Sequence, residues 1–341
     1  MSHPLSVLLG PYGWSDRVAT LYSSDPRSEE PDVRPARVTR VERGGCLVVD
    51  GRGPERPVRS AEQLAVGDWA IVDDDRAHGV LPRWSSLGRL DPAGGSLQVL
   101  AADVDLVVVT VPADRINPAR VERELTLAWE SGARPLVALT KADLAGADAA
   151  AELGERLSVL EVVAVSARTG AGVDRLGALL AGSTSVLLGP SGAGKSSLVN
   201  ALAGAELRVT GEVRAGDGRG RHTTTSRQLL ALPGGVVVID TPGLRSLGLA
   251  SAERIGEVFG DVEQLAAGCR FADCAHDREP GCAVTAAVSA GELPAARLTS
   301  YRKLAREAAA EALRSDPLAR REARRAFKQR TMEARRHDKR G

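Results

Sequence analysis

Residues 184–204 read TSVLLGPSGAGKSSLVNALAG: a short apolar run, a turn of the form G-x-x-x-x-G-K-S, and the opening of a helix. That order is the context a phosphate-binding loop requires, and it commits the surrounding chain to an α/β sheet with strands buried on both faces. Gly189, Gly192 and Gly194 let the backbone curl, with Pro190, Ser191 and Ala193 between them. Successive N–H groups can then point at phosphate oxygens beside the positive end of the following helix. Lys195 is expected to reach the β- and γ-phosphates and to act on the transferring phosphoryl group, while Ser196 is expected on Mg2+ with Ser197 beside it.

A phosphate loop does not choose between adenine and guanine. Here the choice comes from VALTKAD, which ends at Asp143. A carboxylate at the end of a strand can accept from both the ring N–H and the exocyclic amine of guanine, whereas adenine would face it with an acceptor. Lys141 would lay its stem across the purine, Ala142 follows it, and Thr140 stands where Asn is commoner in G domains. EVVAVSARTG places Ser166 and Ala167 just after the next apolar run, where a small-residue loop would contact the guanine carbonyl. Beyond the phosphate loop, GRGRHTTTSRQL supplies Thr223, Thr224 and Thr225, and Thr224 or Thr225 is expected on Mg2+. VVVIDTPG supplies Asp240 for the metal through water and the N–H of Gly243 for the γ-phosphate. Along the chain the order is base, base, phosphate loop, switch I, switch II, so the first two elements have moved ahead of the other three. Leu244 sits where many GTPases carry a Gln that orients the attacking water. His222 is the internal candidate for that task, the other readings being a solvated loop residue or an RNA contact.

The rest of the 341 residues divides by pattern. Residues 1–32, with SSDPRSEEP, read as a flexible polar segment. Residues 33–95 carry short β-rich runs broken by Gly, Pro and Asp at roughly 10-residue intervals, which suits an all-β barrel of OB type. In that barrel Trp69 of GDW is expected in the core rather than as a base-stacking residue. Residues 96–250 alternate buried strands with helices and form the α/β domain. Residues 251–341 are helical around a Cys/His segment and end in a basic tail, ARREARRAFKQRTMEARRHDKRG, suited to a phosphate backbone. No apolar run approaches the ~18 residues of a membrane span and the N-terminus lacks a secretion signal, so a cytoplasmic monomer is expected.

Three of the four cysteines crowd into CRFADCAHDREPGC. Cys269, Cys274, His276 and Cys282 give three thiolates and one imidazole, a set that fills a tetrahedral Zn2+ shell with no open position for water. The site reads as structural.

The motif order resembles that of the circularly permuted GTPases. Together with the barrel and its GDW, LQVLAADVDLVVV, GRHTTT, DTPGL and the Cys/His segment, residues 35–310 resemble the ribosome small-subunit-dependent GTPase A family, with Asp103 where Asn is expected. The resemblance implies a multidomain fold: an OB-type barrel, a circularly permuted P-loop GTPase domain and a helical zinc-binding domain. It also implies GTP hydrolysis stimulated by the small ribosomal subunit, a role in that subunit's late maturation, rRNA and GTP/GDP as partners, and the same four residues as zinc ligands. Two other classes compete with it: a P-loop phosphotransferase, for which no acceptor-binding lid is evident, and an RNA-binding module gated by nucleotide.

Overall fold

The computed structural model describes residues 4–42, 44–90, 97–157, 161–207, 227–240 and 255–315. They fall into two compact units, residues 1–89 with 99–247 and residues 90–98 with 248–341. The barrel and the α/β sheet thus share one unit, where the sequence pattern suggested separate domains.

Strands β1 (Arg34–Glu42), β2 (Gly45–Val49), β3 (Arg56–Arg59), β4 (Trp69–Val72) and β5 (Ala77–Val80) form a five-stranded antiparallel sheet in the order β3-β2-β1-β4-β5. A parallel bridge between Arg59 and Arg76 joins its two edges and closes the OB-type barrel. Period-2 alternation along β4 sorts its side chains: Ala70 and Val72 join Val38, Val48 and Val58 in one apolar cluster, while Trp69 and Ile71 join another. Cys46 lies in the first cluster, where burial pushes its thiol up to about 12 and leaves it a small apolar filler.

The second cluster corrects the expectation of a flexible segment at residues 1–32. Helices α1 (Pro4–Leu9) and α2 (Asp16–Ser23) pack Leu9 and Val18, both fully buried, against Trp69, Ile71 and Leu81. The stretch SSDPRSEEP is also fixed. Asp25 accepts from the Arg27 backbone N–H at 3.0 Å, and Arg27 Nη1 donates to the His78 carbonyl of β5 at 3.0 Å. Polar composition hid a local cap and an ion pair that tie this segment to the barrel.

GDW takes its residues from three separate demands. Gly67 has φ +95°, and a Cβ there would overlap the Ala102 carbonyl and stand 2.7 Å from Ile239 Cδ1. Asp68, fully buried, receives Arg83 Nε at 2.6 Å and Nη2 at 2.7 Å. Trp69 is fully buried and meets Trp14 edge-on at 5.3 Å between centroids. Asp103, at φ +53°, accepts the N–H groups of Trp69 and Trp84 at 3.3 Å each, and burial pushes its carboxyl up to about 7. It ends the ribbon of β6 (Ser86–Leu90) and β7 (Leu97–Ala102).

The α/β part has β8 (Leu106–Pro112), α3 (Pro118–Glu130), β9 (Arg134–Thr140), α4 (Ala149–Leu157), β10 (Val162–Val165), α5 (Val173–Leu180), β11 (Thr184–Leu188), α6 (Lys195–Ala203), β12 (Gln228–Leu232) and β13 (Val236–Asp240). The six strands lie in the order β10-β9-β8-β11-β13-β12, parallel except for β12. All five residues of β11 and all seven of β8 are buried, as strands covered on both faces must be. Within this sheet every strand that precedes β11 lies on one side of it and every strand that follows lies on the other, which is the permutation made visible.

Arg37 is one buried link between the barrel and the sheet. It is fully buried, stacks over Trp69 at 4.9 Å, and donates from Nη2 to Thr184 Oγ1 at 2.9 Å and to the Asp103 carbonyl at 3.2 Å. Burial brings its guanidinium down to about 10, still charged at neutral pH.

In the second unit, α7 (Ile255–Val258), α8 (Gly260–Ala266), α9 (Ala283–Ala290) and α10 (Ala295–Ser315) gather around Phe259. The Arg297 guanidinium lies 4.6 Å from the Phe259 ring centroid and is held by both oxygens of Asp261 at 2.8 and 2.9 Å. The basic tail lies outside the described residues.

Removing one partner of a buried ion pair strands the other charge. Arg83→Ala should therefore destabilise the first unit by about 3–5 kcal/mol in urea unfolding, whereas Arg83→Lys, which keeps the charge but loses the fork, should cost less.

Candidate functional site

The phosphate loop leaves the end of β11 and enters α6 at Lys195. Its first residue passes directly over β8. Gly189 has φ +148°, and a Cβ would overlap Thr110 Oγ1 and lie 2.6 Å from the Thr110 carbonyl. Thr110 itself donates to the Leu188 carbonyl at 2.7 Å, stitching β8 to the root of the loop. Lys195 folds its ammonium back over the loop, 2.8 Å from the carbonyls of both Gly189 and Pro190. Ser196 is exposed on the first turn of α6, and Asp240 ends β13, which pairs with β11 in register Val186 to Ile239.

The base motif arrives from the neighbouring side. Thr140 ends β9, Lys141 takes a left-handed φ of +55°, and Ala142–Leu144 form a 3-10 turn that presents Asp143. Both carboxylate oxygens of Asp143 have partners: Ser166 Oγ donates to Oδ1 at 2.5 Å, and Arg168 donates to Oδ2 from Nε at 2.9 Å and Nη2 at 2.6 Å. The Ser166 hydrogen bond first, and the Arg168 guanidinium second, hold the Asp143 carboxyl below the usual carboxylate range. Lys141 Nζ lies 3.2 Å from Asp114 Oδ2. A cavity of about 360 Å³ opens among Thr140, Lys141, Asp143, Ser166, Gly194 and Ser197, so two motifs some fifty residues apart line one space.

In the second unit the donor atoms of Cys269, Cys274, His276 and Cys282 all lie within 4.8 Å of one another. Cys269 Sγ is 3.5 Å from His276 Nδ1 and 3.8 Å from Cys282 Sγ, and all three cysteines are free thiols. Desolvation, with the neighbouring Cys282 and Cys269 adding to it, pushes Cys274 up to about 11. Against its own desolvation, hydrogen bonds from Thr285, His276 and Cys274 bring Cys282 down to about 6. A soft, four-donor set of this size suits one metal ion.

Residues 80–250 match the family described as RsgA GTPase. The small ribosomal subunit biogenesis GTPase RsgA of Streptomyces coelicolor is 45% identical, covering 96% of this chain and 94% of its own length. The chain belongs to the RsgA GTPase family. The RsgA of Streptomyces avermitilis is 46% identical, covering 97% of this chain and 93% of its own. Among solved structures, YjeQ from Thermotoga maritima superposes with a TM-score of 0.60 at 26% identity, over 81% of this chain and 98% of that one. YloQ, described as a circularly permuted GTPase, shares the fold at a TM-score of 0.58, over 85% of this chain and 98% of its own. Membership in a GTPase family makes this chain a hydrolase, and among its described residues no helix is long and apolar enough to cross a membrane.

Of the residues singled out by motif, Thr140, Lys141, Asp143, Ser166 and Ala167 share the cavity with Gly194 and Ser197, while Ala142, Gly189–Ala193, Lys195, Ser196 and Asp240 do not line it, and the Cys/His set meets in the second unit. His222, Thr223, Thr224, Thr225, Gly243 and Leu244 lie outside the described residues. Three contributors to this candidate site escape motif reading. Thr110 carries a signal, being a hydroxyl within the apolar run LVVVTVP; Arg168 and Asp114 carry none beyond proximity to the motifs they pair with.

Gly189→Ala should force the loop away from Thr110 and lower stability by roughly 2–4 kcal/mol, combining overlap with a strained φ. Gly170→Ala, at φ +81° with nothing within 4 Å of its Cβ, carries the strain alone and should cost about 1 kcal/mol. Melting temperatures of the two variants separate the contributions.

Proposed function

We propose that the chain hydrolyses GTP on the small ribosomal subunit during late maturation, with turnover switched on by that subunit. The observation that carries this reading is the shared cavity of base motif and phosphate loop, in a chain whose relatives over nearly their full length are named small ribosomal subunit biogenesis GTPases.

Guanine is read by Asp143, with the Lys141 stem across its face and the Ser166–Ala167 loop toward its carbonyl. The N–H groups of the loop Gly189–Gly194 and the start of α6 cradle the phosphates. Lys195, now resting on two loop carbonyls, exchanges them for phosphate oxygens. Ser196, on the first turn of α6 after β11, and Asp240, at the end of the paired strand β13, offer hard oxygen donors that suit Mg2+, with Thr224 or Thr225 as a further ligand. When bound, the ion neutralises charge on the β- and γ-phosphates. Leu244 cannot orient water, so His222 or a group contributed by the subunit does so, and hydrolysis by the free chain is slow.

The Cys/His set holds one structural Zn2+, which orders the segment between α8 and α9. The basic residues from Arg320 to Arg340 meet rRNA phosphates through charge and shape rather than sequence. The chain acts as a cytoplasmic monomer.

Phosphate release from GTP, measured with and without purified small subunits, is the deciding experiment: a large stimulation is expected, and equal rates would sink the proposal. Lys195→Ala should lower the stimulated kcat by about 10²-fold or more while the protein stays folded. Metal analysis should find one zinc per chain, and a strong chelator should loosen the second unit, seen as a new low-temperature unfolding step.

A further inference from the structure

The wall between the base motif and the phosphate loop bears on how the base is recognised, given the guanine-site reading above. Thr140 is buried, and its hydroxyl lies 2.6 Å from the Ala193 carbonyl and 3.3 Å from the Val111 carbonyl. Both neighbours are acceptors. A hydroxyl carries one proton, so donation to Ala193 leaves none for a ligand. An Asn at this position would bring two N–H donors, enough for the loop carbonyl and for an acceptor on the base.

On guanine, Asp143 answers N1–H and the 2-amino group, and the Ala167 N–H faces O6. The next acceptor round the ring is N7. The other side-chain donors lining the cavity lie away from N7, are engaged, or stand with the phosphate residues. Ser166 and Arg168 sit at Asp143, on the N1–H and 2-amino edge across the ring from N7, Lys141 Nζ is 3.2 Å from Asp114, and Ser197 lies in the first turn of α6. We propose that this chain reads guanine through its N1–H, 2-amino and O6 groups alone and leaves N7 unread, because Thr140 commits its single proton to holding the phosphate loop. Guanine nucleotides altered at position 7 are therefore accepted as ligands of this site.

Calorimetric titration of the full chain with GDP, 7-deaza-GDP and IDP tests this. GDP and 7-deaza-GDP should bind within twofold of each other, because no hydrogen bond is lost. IDP, which lacks the 2-amino group that Asp143 accepts from, should bind at least about tenfold more weakly. If 7-deaza-GDP binds fivefold or more weakly than GDP while IDP is still rejected, the guanine site stands and the N7 proposal is overturned. If GDP and IDP bind alike, the guanine-site reading itself fails and takes this proposal with it. Thr140→Asn supplies the converse arm: it should tighten GDP roughly two- to tenfold and discriminate against 7-deaza-GDP by the same factor, and an unchanged ratio would overturn the proposal. The comparison on the natural chain needs no variant, so it decides the matter even if Thr140→Asn does not fold.

Discussion

Strand β11 is hydrogen-bonded to β8 on one side and to β13 on the other, and the nucleotide site depends on that double pairing. Residues 106–109 arrive about eighty positions before their partners, residues 237–239 about fifty after. A central strand with neighbours from both flanks tolerates a change in where the chain begins, because backbone pairing is indifferent to the order in which strands are made. Moving the base motif ahead of the phosphate loop therefore leaves the C-terminal ends of β8, β9, β11 and β13 on the same rim of the sheet, where ligands of open α/β sheets bind.

The barrel is joined to this strand by a single buried cation. Arg37 donates to Thr184 at the start of β11, is shielded by Trp69, and lies near the Asp103 carboxyl through the Asp103 carbonyl bond. Placing a guanidinium there is unfavourable in isolation, as the fall of its ionisation to about 10 indicates, so neighbouring carboxylates and the indole face must offset the desolvation. A contact of this kind resists substitution by apolar residues less through net stability than through the specific partners it selects. It fixes the barrel at the foot of the strand whose other end carries the phosphate loop.

Sequence pattern conveyed the architecture wherever the physics was local. Buried strands announced themselves as apolar runs, the glycines of the phosphate loop by their spacing, and the metal set by four donors within fourteen residues. What pattern could not convey was pairing at long range. The helices α1 and α2 were hidden because the burial of Leu9 and Val18 needs Trp69 and Leu81, more than fifty residues on. Nothing local in RPARVTRVE marks Arg37 as buried, and its partner Thr184 lies 147 positions away. Thr140 read as a weakened match to a commoner Asn, whereas its hydrogen bond to Ala193, 53 positions on, supports the division of labour proposed above.

That division shapes how the base pocket can work. The threonine hydroxyl holds the phosphate loop against β9 with no nucleotide present, so on the proposal above loop geometry does not wait on the base. In the proposed guanine site discrimination then falls to Asp143, whose two oxygens are met by Ser166 and Arg168 in this structure. Arg168 is largely exposed, with 73% of its side chain accessible, so water screens the pair and the guanidinium yields readily to a better-oriented partner. Guanine offers two parallel N–H donors in place of the cation. Adenine offers none in that arrangement and would leave Asp143 with its original partner. The exposed ion pair thus keeps the carboxylate charged and satisfied in the empty site, and only a base that can replace both of its bonds displaces it without loss.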